Sequence, residues 1–156
     1  MRIILILATL LSFHASSYEL YLVRHFEKRT DEANPRLTEQ GQARAQALVA
    51  LLSDKDIKHI YSTDYRRTQQ TATPISNALG LPILAYPPRD LSGFASSLLA
   101  NKQNSVIVGH SNTTPQLIKL LGGKTTPIAE SEYGELFVLI MLPESVITQS
   151  VQVGRP

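Results

Sequence analysis

The chain has 156 residues, of which 43% are hydrophobic and 18% are charged, so its length and composition fit a single globular domain. Its formal net charge of +2, with Lys and Arg scattered along the chain, gives no indication of a nucleic-acid-binding surface. The chain has no cysteine, which excludes disulfide bonds, cysteine-ligated zinc and a cysteine nucleophile.

The first seventeen residues have the three-part layout of a secretory signal peptide. Arg2 supplies a positive charge, residues 3–11 form an apolar run, and Ala15-Ser16-Ser17 offers small residues for cleavage. A buried first strand or an uncleaved membrane anchor is the alternative, but the run is shorter than the ~20 residues of a membrane span. We therefore predict a signal peptide over residues 1–17 and one domain over residues 18–156. The mature chain is expected in the periplasm or outside the cell, without stable membrane insertion.

Strands and helices are predicted to alternate along the mature chain. Their order is strand 18–23, helix 39–53, strand 57–61, helix 65–79, strand 82–86, helix 91–99, strand 105–108, helix 114–122 and strand 136–142. Thr38 and Asp64 are placed to cap the first two helices, and Gly80 is placed to end the second. Either Asp90 or Ser92 can cap the third helix.

This alternation predicts a three-layer α/β/α sandwich with a largely parallel sheet. In such folds, ligands bind at the carboxyl ends of the strands. Arg24 and His25 follow the first strand, Arg67 lies in the helix after the second, and His110 follows strand 105–108. Taken singly, each has an ordinary explanation as an exposed arginine or a hydrogen-bonded structural histidine. Their coincidence at strand ends indicates a site for a phosphate group, since arginine forks match phosphate oxygens.

Four segments, in this order, resemble the histidine phosphatase superfamily, which includes phosphoglycerate mutase-like and SixA-like phosphatases. They are Leu22-Val23-Arg24-His25-Phe26-Glu27-Lys28, Pro35-Arg36-Leu37-Thr38-Glu39-Gln40-Gly41, Thr63-Asp64-Tyr65-Arg66-Arg67-Thr68-Gln69-Gln70-Thr71-Ala72 and Val106-Ile107-Val108-Gly109-His110-Ser111-Asn112-Thr113. The resemblance spans residues 18–142 and implies a phosphoglycerate mutase-like fold. Phe26 departs from it, because many members carry Gly or Ala there. We expect this ring to narrow the space beside His25.

The resemblance also implies the roles of four residues. His25 would attack phosphorus and form a phosphohistidine, while Arg24 and Arg67, rather than Arg66, would hold the phosphate oxygens. His110 would stabilise the equatorial negative charge as an imidazolium. Because these residues supply the positive charge, we expect neither a metal ion nor another cofactor.

Two further assignments leave alternatives open. Ser111 and Asn112 could donate to phosphate, although shaping the turn is the favoured role for these residue types. For protonation of the leaving group we predict Asp90, which follows the third strand, with a helix-capping role as the equal alternative. Further candidates for this proton are Glu135, Glu27, His110 and water.

The function predicted from the sequence is hydrolysis of phosphomonoesters. The expected substrate is a small phosphorylated molecule, such as an envelope sugar phosphate of lipopolysaccharide. A mutase is disfavoured, because it needs a longer chain for a closed pocket and export would separate it from glycolytic substrates. A SixA-like protein phosphohistidine phosphatase and a non-catalytic phosphate-binding module remain alternatives.

Overall fold

The structure is a computed structural model that describes residues 17–154. The predicted signal peptide therefore lies outside the described residues, except for its last residue, Ser17. Within the described range, no helix is both long enough and apolar enough to cross a membrane.

Six strands and four helices make up the described part of the chain. In chain order they are β1 Tyr18–Arg24, α1 Glu39–Leu52, β2 His59–Ser62, α2 Arg66–Leu79, β3 Ile83–Ala85, α3 Leu91–Asn101, β4 Ser105–Gly109, α4 Thr113–Leu120, β5 Glu135–Met141 and β6 Val146–Gln152. The nine predicted elements are all present, with ends shifted by a few residues. The additional strand, β6, pairs antiparallel with β5 at the sheet edge.

The strands form one mixed sheet in the order β3-β2-β4-β1-β5-β6. The first four strands in this order run parallel, whereas β5 and β6 are antiparallel to their neighbours. The predicted α/β fold with a largely parallel sheet is confirmed. Because β2, β4 and β1 are adjacent and parallel, their carboxyl ends meet at one edge of the sheet.

Side chains of the central strands alternate between two cores, one on each face of the sheet. From β1, Leu20 and Leu22 pack into a cluster with residues of α3 and α4. Tyr21 and Val23, which point the other way, pack with residues of α1 and α2. Each of these four side chains is at most 2% exposed, so helices cover both faces of the sheet and make the three layers.

The start of α2 differs from the prediction, because Asp64 does not cap it. The helix begins at Arg66, and the Asp64 side chain is exposed. The Thr68 hydroxyl instead donates to the carbonyl oxygens of Thr63 and Tyr65, each at 2.8 Å. A hydroxyl from inside the helix therefore organises this turn, and Arg67 falls in the first helical turn.

The register between β1 and β4 brings two histidines together. Arg24 is paired with Gly109, and the backbone N–H of His25 donates to the Gly109 carbonyl at 2.9 Å. A Cβ atom at position 109 would lie 2.8 Å from the Tyr86 hydroxyl and 2.9 Å from Thr114 Oγ1. Only glycine fits there without a shift of its neighbours, so Gly109 permits the close packing that sets His110 beside His25.

Candidate active site

His25 is held as a neutral ring with one free nitrogen. Its Nδ1 lies 2.8 Å from the Phe26 carbonyl oxygen, which only accepts hydrogen bonds, so Nδ1 carries the proton and Nε2 keeps a lone pair. Burial lowers the pKa of His25 to about 3, and the positive charges of Arg24 and Arg67 act in the same direction. The ring is therefore neutral near pH 7, which is the form that can attack phosphorus.

The second histidine of the sequence motif, His110, stands edge-on to His25 with ring centroids 5.5 Å apart. Its Nε2 is 2.9 Å from Thr63 Oγ1, and its Nδ1 is 3.4 Å from Nη2 of Arg67. Since an arginine can only donate, Nδ1 is the accepting nitrogen.

Burial lowers the pKa of His110 to about 4, and Arg67 and Arg24 lower it further by charge repulsion. The imidazolium implied by the family resemblance is therefore not the state of the free protein. The physical reason is first the burial of the ring and then the positive charges of Arg67 and Arg24. A dianion bound to these groups would offset their charge and favour protonation of His110.

Arg67 lines the same cleft as the two histidines, and its guanidinium carbon lies 4.6 Å from the centroid of the Tyr65 ring. Its Nε is buried and has no hydrogen-bond partner among the described residues. The preceding residue, Arg66, pairs instead with Glu32 at 3.2 Å and is 50% exposed. Arg67 thus lines the cleft, whereas Arg66 is paired with Glu32 outside it.

Arg24 is covered by the loop that connects α4 to β5 and is hydrogen-bonded to it. Its Nη1 donates to the carbonyl oxygens of Ala129 and Glu132, each at 2.7 Å, and Nη2 donates to Glu130 at 3.0 Å. Its guanidinium carbon lies 4.2 Å from the centroid of the Tyr133 ring. Arg24 is only 2% exposed, and its buried Nε has no partner in the described part of the chain.

The cleft that contains His25, Arg67 and His110 has a volume of about 520 Å³. Its other charged lining residues are Lys28 and Arg89, which are basic, and Glu130. Three cationic side chains and one carboxylate face this space, a balance that favours an anionic ligand. Over residues 17–154, no three His, Asp or Glu side chains form a group that could hold a metal ion.

Ser111 and Asn112 also line this cleft. The Asn112 side chain accepts from the backbone N–H of Thr113 at 2.9 Å and caps α4. The Ser111 hydroxyl donates to Glu130. Asn112 therefore has the turn-shaping contact that the sequence favours, while Ser111 connects the turn to the loop that covers Arg24.

The carboxylates predicted as proton donors lie elsewhere. Asp90 is exposed, accepts from the backbone N–H of Gly93 at 3.0 Å as the cap of α3, and is not among the residues that line the cleft. Glu27 is paired with buried Arg44 at 2.7 Å. Glu135 borders a different cavity, of about 410 Å³. None of these three side chains lines the cleft.

Phe26 does not have the expected position either. Its ring is fully buried in the cluster with Tyr21 and Val23, on the side of α1 and α2. It is not among the residues that line the cleft, so it does not narrow the space beside His25. Burial among apolar side chains is the more stable position for a ring whose alternative is a charged cleft.

Part of the chain matches a known protein family. Residues 20–87 match the family model of the histidine phosphatase superfamily (branch 1). Over 76 residues the chain is 36% identical to the probable phosphoglycerate mutase GpmB of Yersinia pestis, a match that covers 44% of this chain and 35% of that protein. The chain thus spans about a third of the length of the curated relatives it matches. The family match includes His25 and Arg67, whereas His110 lies beyond it.

Solved structures resemble the chain over most of its length. The protein histidine phosphatase SixA complexed with tungstate has a TM-score of 0.68 and 15% identity, covering 86% of this chain and 96% of SixA. A mycobacterial glucosyl-3-phosphoglycerate phosphatase has a TM-score of 0.69 and 14% identity, and the match covers 90% of this chain and 100% of that phosphatase. The chain therefore has the fold of these phosphatases.

Proposed function

We propose that this protein hydrolyses phosphomonoesters through a phosphohistidine on His25. The partial match to the histidine phosphatase superfamily and the shared fold support the proposal. The observation that carries the proposal is the neutral His25, whose Nε2 has a free lone pair beside a basic cleft. The buried, unpartnered Nε–H groups of Arg24 and Arg67 support it, because buried donors of this kind are normally satisfied, here by an anion.

In the first step, Nε2 of His25 attacks phosphorus while the bond from phosphorus to the leaving oxygen breaks. The departing alkoxide takes up a proton and leaves as an alcohol. Arg24 and Arg67 hold the equatorial oxygens, whose negative charge grows in the transition state. In the second step, water attacks the phosphohistidine, the phosphorus–nitrogen bond breaks and its electron pair returns to Nε2.

His110 is assigned the role of a charge stabiliser that becomes active on binding. In the free protein, Arg67 and Arg24 help to keep it neutral. A phosphate dianion on these arginines offsets their charge and attracts a proton to His110. Its imidazolium then supports the equatorial oxygens, which is the role that the family resemblance implies.

The place and substrate of the reaction are further parts of the proposal. We propose that residues 1–17 direct export and that the substrate is an envelope sugar phosphate. The support is the layout of Arg2, the apolar run 3–11 and the small residues at 15–17. Expressed from its full gene in a bacterium with a periplasm, the protein should be recovered in the periplasmic fraction with an N-terminus near Tyr18, as read by intact mass. A chain that retains Arg2 and stays with the spheroplasts contradicts export.

A second candidate function is dephosphorylation of phosphohistidine in a protein. The observation that favours it is the match in size, because the likeness to the protein histidine phosphatase SixA covers 96% of that chain. A substrate panel of envelope sugar phosphates, nucleotides and a phosphohistidine peptide separates the two candidates by their relative kcat/KM.

The purified protein should release phosphate from para-nitrophenyl phosphate in many turnovers, with unchanged rate after treatment with EDTA. The reason is that Arg24 and Arg67 supply the positive charge that a metal ion supplies in other phosphatases. Phosphate release is measured before and after chelation and after addition of Mg²⁺. Binding of inorganic phosphate without turnover identifies a non-catalytic module, and activity that is lost in EDTA and restored by Mg²⁺ identifies a metal-dependent enzyme.

A further inference from the structure

Glu130 is the carboxylate that the described structure places on the candidate active site. Its Oε2 accepts from Nη2 of Arg24 at 3.0 Å, and its Oε1 accepts from the Ser111 hydroxyl. The Glu130 side chain is 76% exposed, whereas that of Arg24 is 2% exposed. One side of the carboxylate is thus held by a buried cation, and the rest of it is open to the cleft that also contains His25.

The other acidic side chains of the loop and of the neighbouring helix are engaged elsewhere. Glu132 accepts from the backbone N–H of Ala129 at 2.8 Å and so stabilises the loop itself. Asp90 caps α3 by accepting from the backbone N–H of Gly93, and neither residue lines the cleft. A leaving alkoxide needs a proton, and Glu130 lines the same cleft as His25 and Arg67 and contacts Arg24.

We propose that Glu130 is the catalytic acid and base of this site, protonating the leaving group in the first step and deprotonating water in the second. This inference rests on the proposed function, since it concerns the same reaction. It assigns the proton transfer to the loop between α4 and β5, and not to the segment after β3 where Asp90 lies.

The charge of Glu130 is coupled to substrate binding. In the free protein, the hydrogen bond from Ser111 lowers the pKa of Glu130, and the charges of Arg24, Lys28 and Arg67 lower it further. A phosphate dianion held by Arg24 and Arg67 offsets these cations and brings negative charge close to the carboxylate. Both effects raise the pKa of Glu130, so the bound state favours the protonated acid that the first step requires.

The two steps balance in protons. As the bond from phosphorus to the leaving oxygen breaks, the Glu130 carboxyl gives its proton to that oxygen and becomes a carboxylate. When water attacks phosphorus, the carboxylate takes one proton from it, and the phosphorus–nitrogen bond to His25 breaks. The products are an alcohol and inorganic phosphate, and Glu130 is again protonated while that phosphate is bound.

Glu130→Gln tests this assignment, because glutamine keeps the size of the side chain and an oxygen that can accept from Arg24, but cannot transfer a proton. Two substrates are compared: glycerol 3-phosphate, whose alkoxide leaves poorly without a proton, and para-nitrophenyl phosphate, whose phenolate leaves unaided. Glu132→Gln is the matched control in the same loop, and Asp90→Asn tests the competing position while keeping a good helix cap. Thermal melts confirm that each variant is folded.

We expect Glu130→Gln to lower kcat/KM, which reports the steps up to loss of the leaving group, by about a hundredfold or more for glycerol 3-phosphate, the usual scale of general acid catalysis. The loss in kcat/KM on para-nitrophenyl phosphate should be much smaller, because the shared attack of water does not enter kcat/KM. Glu132→Gln should resemble the wild type on both substrates. Equal losses of kcat/KM on both substrates, no loss, a gain, or a leaving-group effect in Asp90→Asn instead would each overturn the inference. These outcomes leave the proposed function intact, which fails only if the wild-type protein hydrolyses neither substrate nor any member of the substrate panel.

Discussion

His25→Ala is expected to lower turnover of para-nitrophenyl phosphate by roughly 10⁴-fold or more, the scale seen when a catalytic nucleophile is removed. The reason is that the other histidine on the cleft, His110, has its unprotonated Nδ1 engaged by Nη2 of Arg67 at 3.4 Å, so it does not replace Nε2 of His25. The fold should persist, because the His25 ring lines the cleft and belongs to neither of the two core clusters. Turnover is measured alongside circular dichroism to separate catalysis from folding.

Two controls make this result specific. His59→Ala removes a histidine of β2 that does not line the cleft, and it should leave turnover close to that of the wild type. Inorganic phosphate should still bind to His25→Ala, because Arg24 and Arg67 remain. A folded His25→Ala variant that keeps most of its activity would show that the covalent mechanism is wrong.

Arg67→Ala should cost on the order of 3 kcal/mol of transition-state stabilisation, which is about a hundredfold in kcat/KM. The expected size follows from the loss of a charge-assisted donor whose buried Nε–H has no other partner in the described chain. The neighbouring Arg66 forms an ion pair with Glu32 at 50% exposure, and such surface pairs contribute ~1 kcal/mol or less.

Arg66→Ala is therefore the matched control, since it removes the same side chain one position earlier. We expect its kcat/KM to stay within a few-fold of the wild-type value. A loss in Arg66→Ala equal to or larger than that in Arg67→Ala would mean that the phosphate is held by the other arginine and that the orientation of the start of α2 differs from the one described.

The architecture could be predicted from the sequence because its signals are local. Apolar runs such as residues 105–108 mark strands with both faces covered, and alternation with amphipathic helices implies a parallel sheet. Strand β6 was not predicted, because its residues are polar or partly exposed and form no apolar run. The start of α2 was placed too early, since Asp64 is a good cap by type while the hydroxyl of Thr68 makes the actual contacts.

Some residues of the candidate site could likewise be predicted from the sequence, and others could not. His25, Arg67 and His110 could be predicted together because each follows a strand, and neighbouring parallel strands end at one edge of the sheet. Glu130 could not, because it lies in an irregular segment far along the chain and reaches the site only through the path of the loop. Asp90 illustrates the converse, since its position after β3 fits an acid while its side chain caps α3.

The proposed mechanism passes the phosphoryl group through His25. Its most direct test is to quench wild-type protein in base during turnover of para-nitrophenyl phosphate and to locate any phosphoryl group by mass spectrometry, since phosphohistidine survives base and is lost in acid. One acid-labile phosphoryl group is expected on His25 in the wild type and none in His25→Ala. A phosphoryl group on His110 or any other side chain, or a wild-type chain that carries none at any quench time while it turns over, would contradict it.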